Sequence, residues 1–161
     1  MKPAIKAEDI PADPPWVLRE PKEGAEPLPY TKLGPCKRRS LGDHFGLTQI
    51  GVAIEEMPPG STSSLRHWHT HEDEFVMMLE GTLVMVTDAG EQDMSTGMVV
   101  GFKGGDENGH HLINRSDAPA RFIVISNRNE QDAPIYPDDD VKWFADKDGN
   151  GYAAHKDGTR Y

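Results

Sequence analysis

A single cysteine, Cys36, stands in a chain of 161 residues, so no intrachain disulfide can staple the fold and stability must come from a buried core. That cysteine usage fits a reducing compartment, and we read the chain as cytoplasmic. Positive charge is also scarce: 17 Lys and Arg stand against 27 Asp and Glu, a formal net charge of -10. This balance suits neither a phosphate backbone nor an anionic lipid surface, which argues against nucleic acid and membrane partners. No apolar run approaches the ~20 residues that a bilayer span needs, and the opening MKPAIKAEDI has no apolar stretch of the secretory kind. A sustained helical period is missing too, as is any internal repeat at solenoid spacing.

What is present reads as one domain over residues 1–161, long enough to bury a core. Eight of the 13 prolines fall in the first 35 residues, so residues 1–40 read as an extended arm packed over the domain or a partner subunit. From Gly46 the texture changes. Ile50, Val52 and Ile54 alternate with small or polar residues, the period of a half-buried strand, and PPG at 58–60 closes it. Further strand-like runs are Phe75 to Leu79, Thr82 to Thr87, Met98 to Phe102, Leu112 with Ile113, and Arg121 to Ser126. Turn signals separate them: Glu80-Gly81, Asp88-Ala-Gly, Ser95-Thr-Gly and Arg115-Ser-Asp. Many short, evenly spaced strands over residues 41–128 make this an all-β sandwich or barrel. Residues 129–161 form a polar tail with two Asp-Gly turns, read as a terminal hairpin. An arm and exposed strand edges both invite a partner, so a homodimer is expected.

Five of the seven histidines sit in two short segments, HWHTH at 67–71 and HH at 110–111. Residues two apart on a strand share a face, so His67 and His69 can present both imidazoles to one metal while Trp68 turns away. Glu74 has the wrong parity for that face on a continuous strand, so the chain must bend through Thr70 to Asp73 before its carboxylate rejoins the site. Gly81 then offers a tight turn into the next strand. His71 shares the parity of His67 and His69 but lies where the bend begins, which makes it a candidate for the pocket or for the surface.

His-Trp-His, four residues, Glu74, six residues, Gly81 resembles the first sequence motif of the cupin superfamily, whose fold is a double-stranded β-helix or jelly-roll barrel. The second motif of that family ends in a His separated by three residues from an Asn, and His110, then His-Leu-Ile, then Asn114 is similar to it. Two departures stand out: Lys103 replaces the usual proline in FKGG, and four residues rather than two separate Gly105 from His110. The resemblance covers about residues 40 to 128. It implies a divalent transition metal, Fe, Mn, Zn, Ni or Co, held by His67, His69, Glu74 and His110 with positions open to a small molecule. His111 competes with His110, since neighbours on a strand face opposite ways, and the spacing to Asn114 favours His110.

The whole chain, with its Pro-rich arm and the HKDG of its tail, resembles short bacterial cupins labelled sugar-phosphate isomerases or regulators. One fold hosts many functions, so three activities follow as expectations. The leading one is a sugar or sugar-phosphate isomerase with the metal as Lewis acid. The others are an Fe(II)-dependent dioxygenase, for which such a site is equally suitable, and a metal-binding sensory module without turnover. Isomerisation needs a base, and the sequence nominates none beyond the ligands and His71. A phosphorylated substrate needs a cation, for which Lys103 and Arg121 are the candidates. Three other features carry less. DKDGNGYAAHKD at 146–157 matches half of a calcium loop but lacks the exit helix. KGGDENG at 103–109 has no following helix to make a phosphate cradle. Cys36 has no base near it in sequence.

Overall fold

The structure is a computed structural model and describes residues 2–14, 33–145 and 151–161. Residues 15–32 of the Pro-rich arm and the start of the calcium-like segment (146–150) lie outside the described residues. The strands are β1 (Lys37–Ser40), β2 (Ile50–Met57), β3 (Trp68–His69), β4 (Glu74–Glu80), β5 (Thr82–Thr87) and β6 (Gly90–Ser95). They continue with β7 (Val99–Phe102), β8 (His111–Ile113), β9 (Ala120–Asn127), β10 (Pro134–Ile135), β11 (Lys142–Ala145) and β12 (Gly151–Ala154). A one-and-a-half-turn helix, α1 (Leu41–Phe45), links β1 to β2. Its left-handed C-cap is Gly46, with φ +69°.

One sheet has the order β1-β2-β9-β4-β7 and the other β6-β5-β8, all antiparallel. The second is extended beyond β8 by the bridges Thr62 to Ile113 and His67 to His110, which lead into β3 and its partner β10. The core lies between the sheets. Ala53, Met57, Val76, Met78, Phe122 and Val124 meet Leu83, Met94 and Leu112 there. Met57, Met78 and Leu83 are fully covered, each such side chain contributing about 1.5–3 kcal/mol.

Two expectations change. The alternation of β2 is real, but its buried face is the other one. Ala53, Glu55 and Met57 point inward, whereas Ile50 is 42% exposed. The arm ends earlier than residue 40, because Lys37–Ser40 pairs with Ala53–Glu56 and belongs to the sheet. In the tail β11 and β12 pair as the expected hairpin, so a strand rather than a helix leads into the calcium-like segment and a second strand lies within it.

Gly81 makes the β4–β5 turn at φ +75°, and a Cβ there would stand 2.9 Å from Ala120. Only glycine meets both conditions.

Candidate metal centre

The site grows from the bend between β3 and β4. Asp132, 61 residues further along the chain, shapes it: Oδ1 accepts the backbone N–H groups of His71 at 2.8 Å and Glu72 at 3.1 Å. From the other side, Gly104 N–H donates to Asp73 and Gly105 N–H to the His69 carbonyl. A Cβ on Gly104 would meet the His71 carbonyl carbon at 2.7 Å. Two loops therefore touch backbone to backbone where the family carries its proline one residue earlier, and Lys103 is left exposed beside them. The bend restores Glu74 to the side of the histidines.

Donor atoms of His67, His69 and Glu74 all lie within 4.8 Å of one another. His67 Nδ1 faces the Leu65 carbonyl at 2.9 Å, and His69 Nδ1 faces Asp132 Oδ2 at 2.6 Å. Each ring thereby keeps Nε2 as the atom it can offer to a cation. His110 enters from the segment bridged backbone to backbone with His67 and is stacked on Phe102 of the five-stranded sheet, with ring centroids 3.5 Å apart. Its Nε2 stands 3.4 Å from Glu74 Oε1. That contact does not make a hydrogen bond, and both His110 ring nitrogens are buried without a partner. A buried imidazole left unsatisfied is costly unless something binds it. The arrangement fits a divalent metal, which would take an unpartnered nitrogen, two oriented imidazoles and a carboxylate.

Electrostatics agree with that fit. Burial, reinforced by His110, lowers the His67 pKa to about 4, so the ring is neutral and its lone pair free at neutral pH. Burial works against the Glu74 carboxylate, but His110 and behind it His67 and His69 outweigh this and hold the carboxyl below its ordinary value. An anion and neutral imidazoles are the forms that bind metals.

The donors line a cavity of about 410 Å³ between the sheets, whose walls also include Arg38 and Glu55. A smaller cavity of about 220 Å³ shares His69, Phe102 and His110 and has Trp68 and Lys103 on its rim. Of the other sequence candidates, His111 lines the main cavity with Nδ1 directed at the Ser64 carbonyl. His71 is exposed, its ring on the Thr70 hydroxyl, and neither cavity includes it. Arg121 is on the outer face of the sheet with Glu8 at 3.2 Å, away from the donors. Cys36 is half-buried against the Thr62 carbonyl, and burial pushes its thiol pKa up, away from reactivity. Asn114 is no ligand: its amide bonds the carbonyls of Met57 and Ala118 and pins the turn before β9.

Sequence reasoning missed Asp132, Arg38 and Glu55. Asp132 lies in a polar tail with no motif around it. The signal for Glu55 was available in its parity with Met57, the large apolar residue of β2.

The family model for the cupin domain matches residues 53–126. A solved structure described as a sugar phosphate isomerase from a cupin superfamily, from Silicibacter pomeroyi, is 35% identical with a TM-score of 0.82. The match covers 99% of this chain and 96% of that one. The polyketide cyclase RemF from Streptomyces resistomycificus shares the fold at 23% identity and TM-score 0.59, over 79% of this chain and 80% of its own. A predicted oxalate decarboxylase from Thermotoga maritima does so at 18% identity and TM-score 0.60, over 78% of this chain and 99% of its own. No curated protein matches. Among the described residues no helix is long and apolar enough to cross a membrane. With two sheets closed around the donors and full-length likeness to a cupin at this identity, the chain belongs to the cupin superfamily and has its double-stranded β-helix fold.

Proposed function

We propose that the chain is a metal-dependent enzyme of small hydroxy-carbonyl compounds, a sugar isomerase in its chemistry, with one divalent transition metal held by His67, His69, Glu74 and His110. The observation that carries this reading is the donor set: two oriented imidazoles, a buried unpartnered imidazole and an ionised carboxylate on the wall of one cavity. When bound, the metal supplies Lewis acidity to a carbonyl or hydroxyl oxygen. The chain's own residues do the rest. Asp132 and the Leu65 carbonyl fix the two imidazoles by their Nδ1 atoms, Phe102 holds His110 flat, and the apolar side chains of Val76, Phe122 and Val124 limit water in the cavity. The full-length likeness to the Silicibacter protein favours isomerisation over oxygen chemistry.

The test is to strip the metal, reload separately with zinc and ferrous iron, and assay aldoses, ketoses and their phosphates for interconversion beside an oxygen electrode. Interconversion supported by redox-silent zinc is the expected result. Iron-dependent oxygen uptake coupled to substrate loss, with zinc inert, would replace this reading by a dioxygenase. Silence in every assay, with a sugar still retained by the metal-loaded protein, would make it a sensory module.

A further inference from the structure

The metal donors are not the only charged groups in the main cavity. Arg38 and Glu55 face each other across the β1–β2 ladder and share a hydrogen bond from Arg38 Nη1 to Glu55 Oε1. Glu55 is on the buried side of β2, at 9% exposure. A carboxylate is an expensive group to bury where a leucine would pack. Both residues nevertheless line the cavity that holds the donors. The pair also keeps hydrogen-bonding capacity in hand. A guanidinium donates on several sides and a carboxylate has a second oxygen, yet among the described residues the two side chains hydrogen-bond only each other.

The ladders set the β4–β9–β2 wall in rows. Glu74, Ser126 and Gly51 form the row of the metal donors. The next inward row, Val76, Val124 and Ala53, is apolar. The one after it is Met78, Phe122 and Glu55, with Arg38 beside Glu55 on β1. The donor row and the Glu55 row are about 13 Å apart along the strands, and β2 is the second strand over from β4. Glu55 is therefore remote from any atom held at the metal, and what it can meet is the other end of the same molecule. Some 410 Å³ is near the small end of ligand cavities. A molecule that fills it has the metal donors at one end, apolar side chains along its middle and the ion pair at the other end.

We propose that the Arg38–Glu55 pair is a distal subsite of this cavity, one that binds a neutral hydroxyl at the end of the ligand remote from the metal. This rests on the metal centre and the hydroxy-carbonyl chemistry proposed above, and it narrows the substrate class. Charge selects the hydroxyl. Arg38 is the one Lys or Arg among the described residues lining the cavity, and Glu55 matches its charge. A phosphate or carboxylate brought to the pair is repelled by Glu55, and an ammonium is repelled by Arg38. A hydroxyl suits both, because its O–H donates to a Glu55 oxygen while its own oxygen accepts from the guanidinium. A methyl end would shield the pair from water and return no hydrogen bond, which is how a polar site rejects an analogue that lacks the hydroxyl. The substrate class is therefore an extended, unphosphorylated hydroxy-aldehyde or hydroxy-ketone that ends in a hydroxyl.

The test reads binding rather than turnover. Straight-chain hydroxamic acids of four to eight carbons, which chelate zinc, are titrated by calorimetry into the full zinc-loaded chain, each with a methyl, hydroxyl, carboxylate or ammonium end. At one chain length the hydroxyl should tighten binding about 10-fold over the methyl end, and the charged ends should give no such gain. In Arg38→Met with Glu55→Leu both partners become apolar groups of similar size, so the hydroxyl gain should vanish while zinc content holds. If that variant does not fold, nuclear Overhauser effects in the wild type read the same contact and should join the methylene beside the terminal hydroxyl to the side chains of Arg38 or Glu55. A hydroxyl gain at no length, a gain that survives in the variant, a larger gain for either charged end, or Overhauser contacts to Tyr136 and Trp143 instead of the pair would overturn the subsite. A zinc-loaded chain that binds no hydroxamate removes the metal centre and the subsite with it. A hydroxyl gain beside sugars that never interconvert upholds the subsite and takes away the isomerase alone.

Discussion

Asp132 Oδ2 lies 2.6 Å from His69 Nδ1 across a gap of 63 residues, and the other oxygen of the same carboxylate holds the bend that returns Glu74 to the site. One side chain thus sets both the tautomer of His69 and the path of the loop behind it. Asp132→Asn separates the two roles. An amide oxygen can still accept from His71 and Glu72, but the amide N–H then meets His69 Nδ1 and forces the ring proton onto Nε2, the atom the metal needs. Metal affinity should fall about 10–100-fold with the fold intact. Competition against a chromophoric chelator, with circular dichroism alongside, measures both.

Ligand deletions should sort the histidines. His67→Ala and Glu74→Ala should bring metal content down steeply, while His71→Ala and His111→Ala should leave it near one per chain. His71 is exposed and His111 bonds a backbone carbonyl, whereas the first two have donors in the cluster. Metal analysis of protein purified without nickel steps decides it. A site emptied by His111→Ala but kept by His110→Ala would reverse the choice between them.

The parts of this architecture legible in sequence were those written in local order. His67, His69, Glu74 and Gly81 lie within fifteen residues, and the strands β4, β5 and β9 are short unbroken apolar runs bounded by turn signals and so were readable. β6 was not, because Gly90–Ser95 buries only Met94, and a strand that is exposed on nearly every residue has no apolar period to detect. β2 shows the opposite failure. Both of its faces carry apolar residues, since Ile50, Val52 and Ile54 occupy the outside of the sheet, and periodicity cannot say which face is inside. Arg38 and Glu55 join the cavity through sheet register, and Asp132 reaches His69 through a returning tail, relations with no local signature.

Acid should destabilise the metal-free protein in a defined window. His67 has an ordinary value of 6.5 and is held near 4 by burial, so between those pH values the unfolded chain binds a proton that the folded one refuses. Stability from this group is full above 6.5 and is lost as pH falls toward 4, by ~3 kcal/mol at most. Glu74 and Asp132, both lowered, add losses of the same sign at lower pH. Glu55 acts oppositely, since a raised carboxyl pKa costs stability as pH rises. Urea unfolding across this range should show a midpoint that falls with pH, and His67→Gln should flatten the upper part of the fall.

For the expected homodimer we propose a sheet face, rather than the strand edges, as the surface of association. Outward residues of the five-stranded sheet line up across strands: Ile54, Ile123, Met77 and Val99 in one row, Val52, Ile125 and Phe75 in the next. Phe75, Met77, Leu79 and Val99 are 40, 37, 37 and 56% exposed. A contiguous apolar face of this kind marks an association surface, and an apolar patch is complementary to its own copy, as a two-fold pair requires. The open edge of the sheet is the less available route, because Asp13 N–H already bonds the Arg38 carbonyl of β1. Met77 sits between Ile123 and Val99, so Met77→Glu puts a charge in the middle of the row on both copies at once. Sedimentation at micromolar concentration should show a dimer for the wild type and a monomer for Met77→Glu, with metal content unchanged because the substitution is on the face away from the cavity. A wild type that sediments as a monomer would leave this face without a second copy to cover it.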